Sequence, residues 1–484
     1  MKTIVKKIDS PPDLLAIANE KLLNEPGSTL LLSALSAHAH SRYSFLCRKP
    51  FLEFCSYGSI CEITTGIKTI RLYGNPWLVI DELLQRYELL NEIDLPFPLG
   101  GAFGFWGYDL KNHIEKCITT KAKKDIDTPD CNILFYDSLL VYDHLLDKMW
   151  IISTGMNADG ARNLALAKQK VDEWIKLIES SPCESDLELM RKPIEPPVEI
   201  SSNMQSSYFI SAVHKAKKYI YSGDIYQVNL SHRIEAAFNS INPFSAFLNL
   251  LKASPAPFAA YFNFGDYQLV SSSPELFLKL TGRHILTRPI KGTRPRGINH
   301  QEDVQMEYEL KTSQKEIAEL IMITDLLRND LGKICQYGSV QVNELLKIET
   351  HPHIFHLVST VQGELKPELS HIQSLATCFP GGSITGAPKI RAMQIIDELE
   401  PTARGIYTGA HGYIGFNEES QLSITIRTAI CKDKKIWFQT GAGIVADSIP
   451  EAEYDETIAK AKGFLLSIGA ISNKNFVLKN ESLH

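Results

Sequence analysis

The feature that most constrains the fold is a long series of short, strand-like runs separated by turns of a few residues. In the second half of the chain these runs cover residues 224–233, 259–264, 267–272, 276–280, 284–289, 406–416, 423–431 and 435–440. Short turns can join antiparallel strands, whereas neighbouring parallel strands need a much longer crossover. The pattern therefore predicts large antiparallel sheets and argues against repeated βαβ units.

Helical periodicity is confined to fewer segments. Predicted helices cover residues 157–181, 208–222, 301–328, 369–377, 388–399 and 450–468. The first of these helices is followed by a Pro- and charge-rich stretch, residues 181–203, which predicts a linker. We therefore divide the chain into an N-terminal region (1–200), a second region (201–470) that carries the chemistry, and a short tail (471–484).

Composition excludes several classes of protein. The 484 residues include 50 Lys and Arg against 56 Asp and Glu, and this mild acidity argues against a nucleic-acid-binding protein. The sequence contains no run of about 20 apolar residues that could span a membrane. Asp9 and a Pro pair interrupt the N-terminal segment before it reaches the length of an apolar signal region. The nine cysteines show no regular spacing that would indicate a disulfide framework. We therefore expect a cytoplasmic protein with reduced thiols.

Two predicted helices each carry a Glu-x-x-Glu pair, Glu316/Glu319 and Glu453/Glu456. Residues three apart share one helical face, so each pair directs two carboxylates the same way. Such carboxylates repel unless a cation lies between them, and hard oxygen ligands suit Mg²⁺. Lys460 follows Glu456 by one turn, on the same face. A single pair is more often a solvated acidic face, so the metal hypothesis depends on the other motifs.

Two glycine-rich stretches imitate nucleotide-binding motifs. GGSITGAPK (381–389) has P-loop-like glycines, but its lysine is displaced behind a proline. GAGIVA (441–446) matches a dinucleotide fingerprint, but the parallel strand and acidic residue that should follow are missing. Because Gly-rich turns before helices expose backbone N–H groups, both stretches still predict cradles for a carboxylate or phosphate.

A third stretch, TRPIKGTRPRG, places Lys291 among Arg288, Arg294 and Arg296. Crowding by like charges, together with burial, would leave the lysine amine uncharged and nucleophilic. Taken alone, a run of Lys and Arg residues of this kind is more often an ordinary basic loop than a catalytic site.

Taken together, eight ordered strings resemble one family, the chorismate-utilising enzymes, which include anthranilate synthase, isochorismate synthase and aminodeoxychorismate synthase component I. The strings are SSSPELF (271–277), PIKGT (289–293), ELIMITDLLRNDLGK (319–333), HLVSTVQGEL (356–365), FPGGSITGAPK (379–389), YTGAHGYIG (407–415), SITIRTAI (423–430) and TGAGIVADSIPEAEYDET (440–457). The resemblance implies an α+β fold, the anthranilate synthase component I-like sandwich of two large, mostly antiparallel sheets with outer helices. In that fold the N-terminal region packs on the core.

The resemblance also implies roles for individual residues toward chorismate, a dianion. Glu275 would act as general acid and Lys291 as a nucleophile that forms a covalent adduct. Glu319 and Glu456 would bind Mg²⁺ directly, with Glu316 and Glu453 acting through water. The residues implied in substrate binding are Gln227, His356, Thr385, Gly386, Tyr407, Arg427, Gly441, Ala442, Gly443 and Lys460.

Two positions favour one reaction within the family. By resemblance, anthranilate synthases carry Ala at the position of Lys291, and aminodeoxychorismate synthases carry Lys. The isochorismate and salicylate enzymes carry a water-activating lysine near the position of Gln227, which cannot act as a base. These positions favour amination of chorismate by ammonia to 4-amino-4-deoxychorismate, a step toward 4-aminobenzoate and folate.

The sequence has no GxCxG glutaminase motif. The resemblance therefore implies that ammonia comes from a separate glutamine amidotransferase subunit. Two alternatives remain open. One is anthranilate synthase component I, which aminates C2 for tryptophan synthesis, and the other is a non-catalytic amino-acid-binding subunit.

Overall fold

A computed structural model of the chain describes residues 2–9, 11–18, 20–34, 41–115, 117–118, 121–181, 194–350 and 354–471. In these ranges the strands form two sheets of twelve strands each. The named strands pair antiparallel with their neighbours in both sheets. The predicted fold class, an α+β sandwich of two large antiparallel sheets with helices, is confirmed.

The strands follow one another in chain order as β1 (Ile4–Ile8), β2 (Ser28–Leu32), β3 (Tyr43–Cys47), β4 (Leu52–Tyr57), β5 (Ile60–Thr65), β6 (Lys68–Tyr73), β7 (Gly101–Trp106), β8 (Cys131–Tyr136), β9 (Ser138–Asp143), β10 (Lys148–Ser153), β11 (Glu199–Ser202), β12 (Gln227–Ala237), β13 (Phe258–Asn263), β14 (Gln268–Ser273), β15 (Leu276–Thr281), β16 (His284–Arg288), β17 (Ile290–Pro295), β18 (Gln341–Thr350), β19 (Ile354–Glu364), β20 (Gly386–Ala387), β21 (Ala410–Gly415), β22 (Glu419–Ile424), β23 (Thr428–Lys432) and β24 (Lys435–Ile444). The α-helices are α1 (Leu14–Ile17), α2 (Glu20–Leu23), α3 (Pro76–Arg86), α4 (Leu164–Glu179), α5 (Ser206–Tyr221), α6 (Pro243–Ala253), α7 (His300–Thr312), α8 (Gln314–Ile334), α9 (His371–Cys378), α10 (Lys389–Leu399) and α11 (Pro450–Ser467).

Both sheets combine strands from the two halves of the sequence. The first runs in the order β1-β10-β9-β3-β2-β13-β14-β23-β24-β12-β11, with β20 pairing on β12. The second runs β17-β19-β16-β15-β22-β21-β7-β8-β4-β5-β6, with β18 pairing on β19. Residues 1–200 therefore share a hydrogen-bonded framework with the rest of the chain.

Aromatic side chains fill the core between the two sheets. The ring of Phe45, from the first sheet, lies 6.3 Å from that of Phe103 and 4.9 Å from that of Tyr413, both from the second sheet. Helices cover the outer face of the first sheet. There the ring of Phe464 on α11 stacks on Phe438 of β24, with centroids 4.2 Å apart. This contact fixes the position of α11, which carries one of the two glutamate pairs.

One predicted helix, residues 301–328, is two helices. The break falls at Ser313, whose backbone is extended and whose hydroxyl accepts a hydrogen bond from the Glu316 amide at 3.5 Å. A serine in this position caps a new helix, which begins just before the glutamate pair.

The predicted strand 423–431 is likewise two strands, β22 and β23. They are separated at Arg427, which has a φ of 49°. A left-handed residue cannot continue an extended strand, so the chain turns there.

The predicted linker, residues 181–203, is only partly described. Residues 199–202 are not linker but strand β11, which pairs with the far end of β12. Residues 182–193 of the linker and residues 472–484 of the predicted tail lie outside the described residues. No helix in the described ranges is long and apolar enough to cross a membrane. The eight described cysteines are free thiols.

Glycine permits a close backbone approach between β7 and β8. A Cβ at Gly104 would lie 2.1 Å from the backbone oxygen of Asn132. We expect Gly104→Ala to lower the free energy of unfolding by about 1–3 kcal/mol, because backbone must move to admit the methyl group. Gly332→Ala, on α8 with open space around it, is the control and should be neutral or stabilising. Denaturant titration measures both, and equal stability of the two variants would contradict the packing argument.

Candidate active site

The two glutamate pairs lie at one cavity, which is lined by Glu316, Glu319 and Glu456. Helix α8 packs on β17, β18 and β19 of the second sheet, and α11 packs on β24 of the first. Both pairs lie in the first two turns of their helices, where the positive end of the helix dipole favours carboxylates. The cavity has a volume of about 570 Å³, in the range of small-molecule sites.

Most of the predicted site residues line this cavity. Those that do so are Glu275, Lys291, Glu316, Glu319, His356, Tyr407, Arg427, Gly441, Gly443, Glu456 and Lys460. Residues from distant parts of the sequence therefore converge on one volume. The predicted residues that lie outside the lining are Gln227, Thr385, Gly386, Ala442 and Glu453.

These five residues lie behind the cavity wall. The hydroxyl of Thr385 donates to the backbone oxygen of Gly381 at 3.1 Å, and Gly386 pairs with β12. Ala442 packs in an apolar cluster formed by β12, β24, α5 and α10. Gln227 is 1% exposed, and its amide nitrogen lies 2.4 Å from where a Cβ of Gly443 would be. Each of the five is therefore close to the lining.

The second glycine stretch is not the predicted turn. Residues 441–444 belong to strand β24 and pair with β12, whereas the pairing of β24 with β23 stops at Phe438. Alternate residues therefore point N–H groups away from β12. The two glycines, Gly441 and Gly443, lie on the cavity side, and Ala442 lies on the opposite face.

Glu275 is a deeply buried carboxyl group in the cavity wall. It lies between β14 and β15 and is 7% exposed. Burial raises the pKa of Glu275, although a hydrogen bond with Ser383 and the charge of Lys291 act in the opposite direction. A carboxyl group in this environment favours its protonated form, which can donate a proton.

The amine of Lys291 projects from β17 into the cavity. Its Nζ lies 3.9 Å from Oε2 of Glu319. The three arginines that were expected to crowd this amine each lie beside a carboxylate instead. The pairs are Arg288 with Glu349 (2.5 Å), Arg294 with Glu316 (3.6 Å) and Arg296 with Asp303 (2.5 Å). The immediate charged neighbour of Lys291 is therefore an acid.

Each of the four glutamates has a cation within 4 Å. The pairs are Glu316 with Arg294 (3.6 Å), Glu319 with Lys291 (3.9 Å), Glu453 with Lys315 (3.7 Å) and Glu456 with Lys460 (2.7 Å). We call these four pairs the carboxylate ring. Sequence reasoning missed Lys315, although it precedes Glu319 by one helical turn and so shares its face.

Charges in the carboxylate ring shift the pKa values of its members. Burial acts to lower the pKa of Lys315, but the four glutamate charges raise it overall. Burial raises the pKa of Glu319 despite the nearby charges of Lys291 and Lys315. Burial also acts to raise the pKa of Glu456, but the ion pair with Lys460 lowers it. The pKa values of Glu319, Glu456 and Lys315 therefore depend on the opposite charges beside them.

The donor set of the carboxylate ring fits Mg²⁺. Oε2 of Glu453 is buried and has no hydrogen-bond partner within the described residues. Over the same ranges no three His, Cys, Asp or Glu side chains converge closely enough to enclose an ion. Mg²⁺ commonly keeps several waters and uses only one or two protein carboxylates. Direct binding to Glu319 and Glu456, with water between the ion and Glu453, is compatible with this arrangement.

Another part of the cavity wall carries groups that suit an anion. Arg427 contributes a half-buried guanidinium, held by a left-handed backbone, and desolvation lowers its pKa. The hydroxyl of Tyr407 and Oδ1 of Asn229 lie 2.9 and 2.7 Å from the position of a Cβ on Gly441. Lys460 donates to the backbone oxygen of Gly441 at 3.0 Å. Sequence reasoning missed Asn229, although it follows Gln227 by two residues and so shares its face of β12.

A buried ion pair lies behind this part of the cavity wall and contacts three of its residues. Arg404 is 4% exposed and donates two hydrogen bonds to Glu400. It also donates to the backbone oxygens of Asn229 and Ile384 at 2.7 and 3.1 Å. Its guanidinium lies 5.6 Å from the ring centroid of Tyr407. The pair therefore connects three residues that line the cavity.

The space beside Gly441 leads to a prediction for ligand binding. In Gly441→Ala the new Cβ would lie 2.7 Å from the backbone oxygen of Leu230, on the wall that faces the predicted anion. We expect the KM for chorismate, the substrate implied by the resemblance, to rise roughly tenfold or more. Steady-state kinetics measures this, with thermal melting to exclude unfolding. Gly332→Ala is the control, and an unchanged KM in Gly441→Ala would contradict this position for the anion.

Comparisons with known proteins show the family of this chain. The family model of the chorismate binding enzymes matches residues 30–466. Anthranilate synthase component 1 of Synechocystis sp. is 39% identical over 93% of this chain and 92% of its own length. Aminodeoxychorismate synthase component 1 of Bacillus subtilis is 36% identical over 94% of this chain and 95% of its own length.

A solved structure supports the same relationship. Anthranilate synthase component I from Streptococcus pneumoniae TIGR4 superimposes with a TM-score of 0.77 and 32% identity, covering 88% of this chain and 93% of the other. The family model covers most of the chain, and full-length relatives exceed 30% identity. This chain therefore belongs to the chorismate binding enzyme family and is a chorismate-utilising enzyme.

Proposed function

We propose that this enzyme aminates chorismate with ammonia at C4 and forms 4-amino-4-deoxychorismate, a precursor of 4-aminobenzoate and folate. The observation that carries the proposal is the amine of Lys291, which projects into the cavity beside Glu319. A lysine at this position resembles the aminodeoxychorismate synthases and differs from the alanine that anthranilate synthases carry. Relatives with both names are similar to this chain over nearly its whole length.

The reaction must first remove a poor leaving group. Glu275, buried and with a raised pKa, would donate a proton to the C4 hydroxyl. Lys291, as the free amine, forms a C–N bond at C2 while the ring electrons shift and the C4–O bond breaks, so that water leaves. Ammonia then forms a C–N bond at C4, the electrons shift back, and the bond to Lys291 breaks. The proton lost by the new amine returns to Glu275, which balances the cycle.

Ionic groups would hold the dianion in place. Glu319 and Glu456 would bind Mg²⁺ directly, and Glu316 and Glu453 would act through water. When bound, Mg²⁺ holds the ring carboxylate and withdraws electrons from the ring. The enolpyruvyl carboxylate would contact Arg427, Tyr407, Gly441 and Gly443. Lys460 would contact the ring carboxylate, which Thr385 and Gly386 would assist from behind the cavity wall, and His356 would lie against the ring.

The source of ammonia would be a second protein. The relatives above are named component 1, which implies a second component. We propose that a glutamine amidotransferase subunit supplies ammonia to this chain, and that ammonium salts replace it in vitro.

Anthranilate synthase component I is the second candidate. It is favoured by the 39% identity to the Synechocystis sp. enzyme of that name. The two reactions share chorismate, Mg²⁺ and ammonia, and they differ in the carbon that is aminated and in the fate of the enolpyruvyl group.

Product analysis separates the two candidates. The purified protein is incubated with chorismate, MgCl₂ and an ammonium salt, and the products are identified by chromatography and mass spectrometry. We expect 4-amino-4-deoxychorismate, which an added 4-amino-4-deoxychorismate lyase converts to 4-aminobenzoate. Fluorescent anthranilate as the sole product would overturn the proposal in favour of the second candidate.

Removal of the nucleophile tests the covalent step. We expect Lys291→Ala to reduce the rate of 4-amino-4-deoxychorismate formation about a hundredfold or more, because ammonia must then displace the hydroxyl without an adduct. Some product could shift toward anthranilate. The control is Lys215→Ala, an exposed lysine on α5. In the parent enzyme, intact-mass analysis should detect a chorismate-derived adduct on Lys291. An unchanged rate and product in Lys291→Ala would refute the role of Lys291 as nucleophile.

A further inference from the structure

The carboxylate ring is already neutralised by side chains of the protein. Four carboxylates face four cations, each pair with an N–O distance between 2.7 and 3.9 Å. Two of these cations also have roles toward the substrate in the proposed reaction. Lys291 is the proposed nucleophile, and Lys460 is a proposed ligand of the substrate.

The same two lysines lie beside the proposed direct metal ligands. Lys291 contacts Glu319, and Lys460 contacts Glu456. The other two cations, Arg294 and Lys315, lie beside Glu316 and Glu453, which would act through water. An ammonium group and a metal ion that approach one carboxylate repel each other, and water screens this repulsion less at the mostly buried pair of Lys291 and Glu319 than at the half-exposed pair of Lys460 and Glu456. A divalent cation therefore competes with Lys291 and Lys460 more directly than with Arg294 and Lys315.

We propose that Mg²⁺ binds by exchange with the ammonium groups of Lys291 and Lys460, so that metal binding releases both lysines toward the substrate. In the metal-free enzyme Glu319 and Glu456 hold these lysines. After exchange, the two ammonium groups face the cavity without their carboxylate partners. The order of binding follows, with the metal first and the chorismate dianion second. This inference rests on the proposed metal ligands, but it is independent of which carbon the enzyme aminates.

The surroundings of Lys315 explain why it would stay in place. It lies beside Glu453, which is 3% exposed and has an unpartnered Oε2 within the described part of the chain. Glu453 therefore retains one oxygen for a metal-bound water while Lys315 remains beside the other. We call the pairs Glu319–Lys291 and Glu456–Lys460 the exchanging half of the carboxylate ring. The static half consists of the pairs Glu316–Arg294 and Glu453–Lys315.

Calorimetric titration of the substrate-free enzyme with MgCl₂ tests the proposal. We expect Lys291→Met and Lys460→Met each to bind Mg²⁺ about tenfold more tightly than the parent enzyme, because a competing cation has been removed. The matched variants Arg294→Met and Lys315→Met remove the same charge from the static half and should tighten binding clearly less. Of these two, Lys315→Met should have the larger effect, because the charge of Lys315 also acts on Glu319 and Glu456. Equal tightening in all four variants would indicate a general field effect and overturn the exchange. Unchanged affinity in Lys291→Met and Lys460→Met would also overturn it.

A second measurement uses the unmodified protein and does not depend on how the variants fold. Lysine labelling with an amine-reactive reagent is followed by peptide mass spectrometry with and without MgCl₂. Exchange predicts that Mg²⁺ increases the labelling of Lys291 and Lys460 severalfold and leaves that of Lys315 unchanged. Decreased or unchanged labelling of Lys291 would overturn the proposal. Product identity plays no part in either measurement, so failure here is distinguishable from failure of the proposed amination.

Discussion

Four carboxylates around one partly buried cavity can coexist only if comparable positive charge lies among them. In this protein that charge comes from Arg294, Lys291, Lys315 and Lys460, one beside each glutamate. The arrangement places the proposed nucleophile within the electrostatic system of the proposed metal site. Metal binding and nucleophile release are therefore coupled in our account, because both depend on the same carboxylate, Glu319.

The scaffold holds these charges by joining two sheets. Helix α8 is packed on the second sheet and α11 on the first, so the aromatic core between the sheets sets the separation of the two glutamate pairs. Strands from residues 1–200 belong to both sheets and so contribute to that separation. The groups that would bind the anion depend in turn on the buried pair of Arg404 and Glu400, which connects the backbone of β12 with Tyr407.

Local patterns in the sequence predicted much of the fold. Alternation and short turns indicated the antiparallel strands, and helical spacing indicated α4, α5 and α9 to α11. Helices α3 and α6 and strands β18 and β19 were not predicted. Two further errors lie where one residue interrupts a periodic run: Ser313 caps a new helix inside the predicted 301–328, and left-handed Arg427 divides the predicted strand 423–431. The glycine stretch 441–444 has the composition of a turn, but pairing with β12 makes it a strand. This last error reflects pairing with a strand that is distant in the sequence.

By itself the sequence determined the chemistry that is present: the two glutamate pairs, the lysine of PIKGT, the glycines of β24 and the family motifs that connect them. Only the tertiary structure decided which charge lies beside which. It paired Lys291 with Glu319 and not with the arginines next to it in the chain, buried Glu275 so that its pKa rises, and added Lys315 and Asn229 to the cavity. The reason is physical. Spacing along a helix or strand fixes distances within one element, whereas ion pairing and desolvation depend on distances between elements that folding alone brings together.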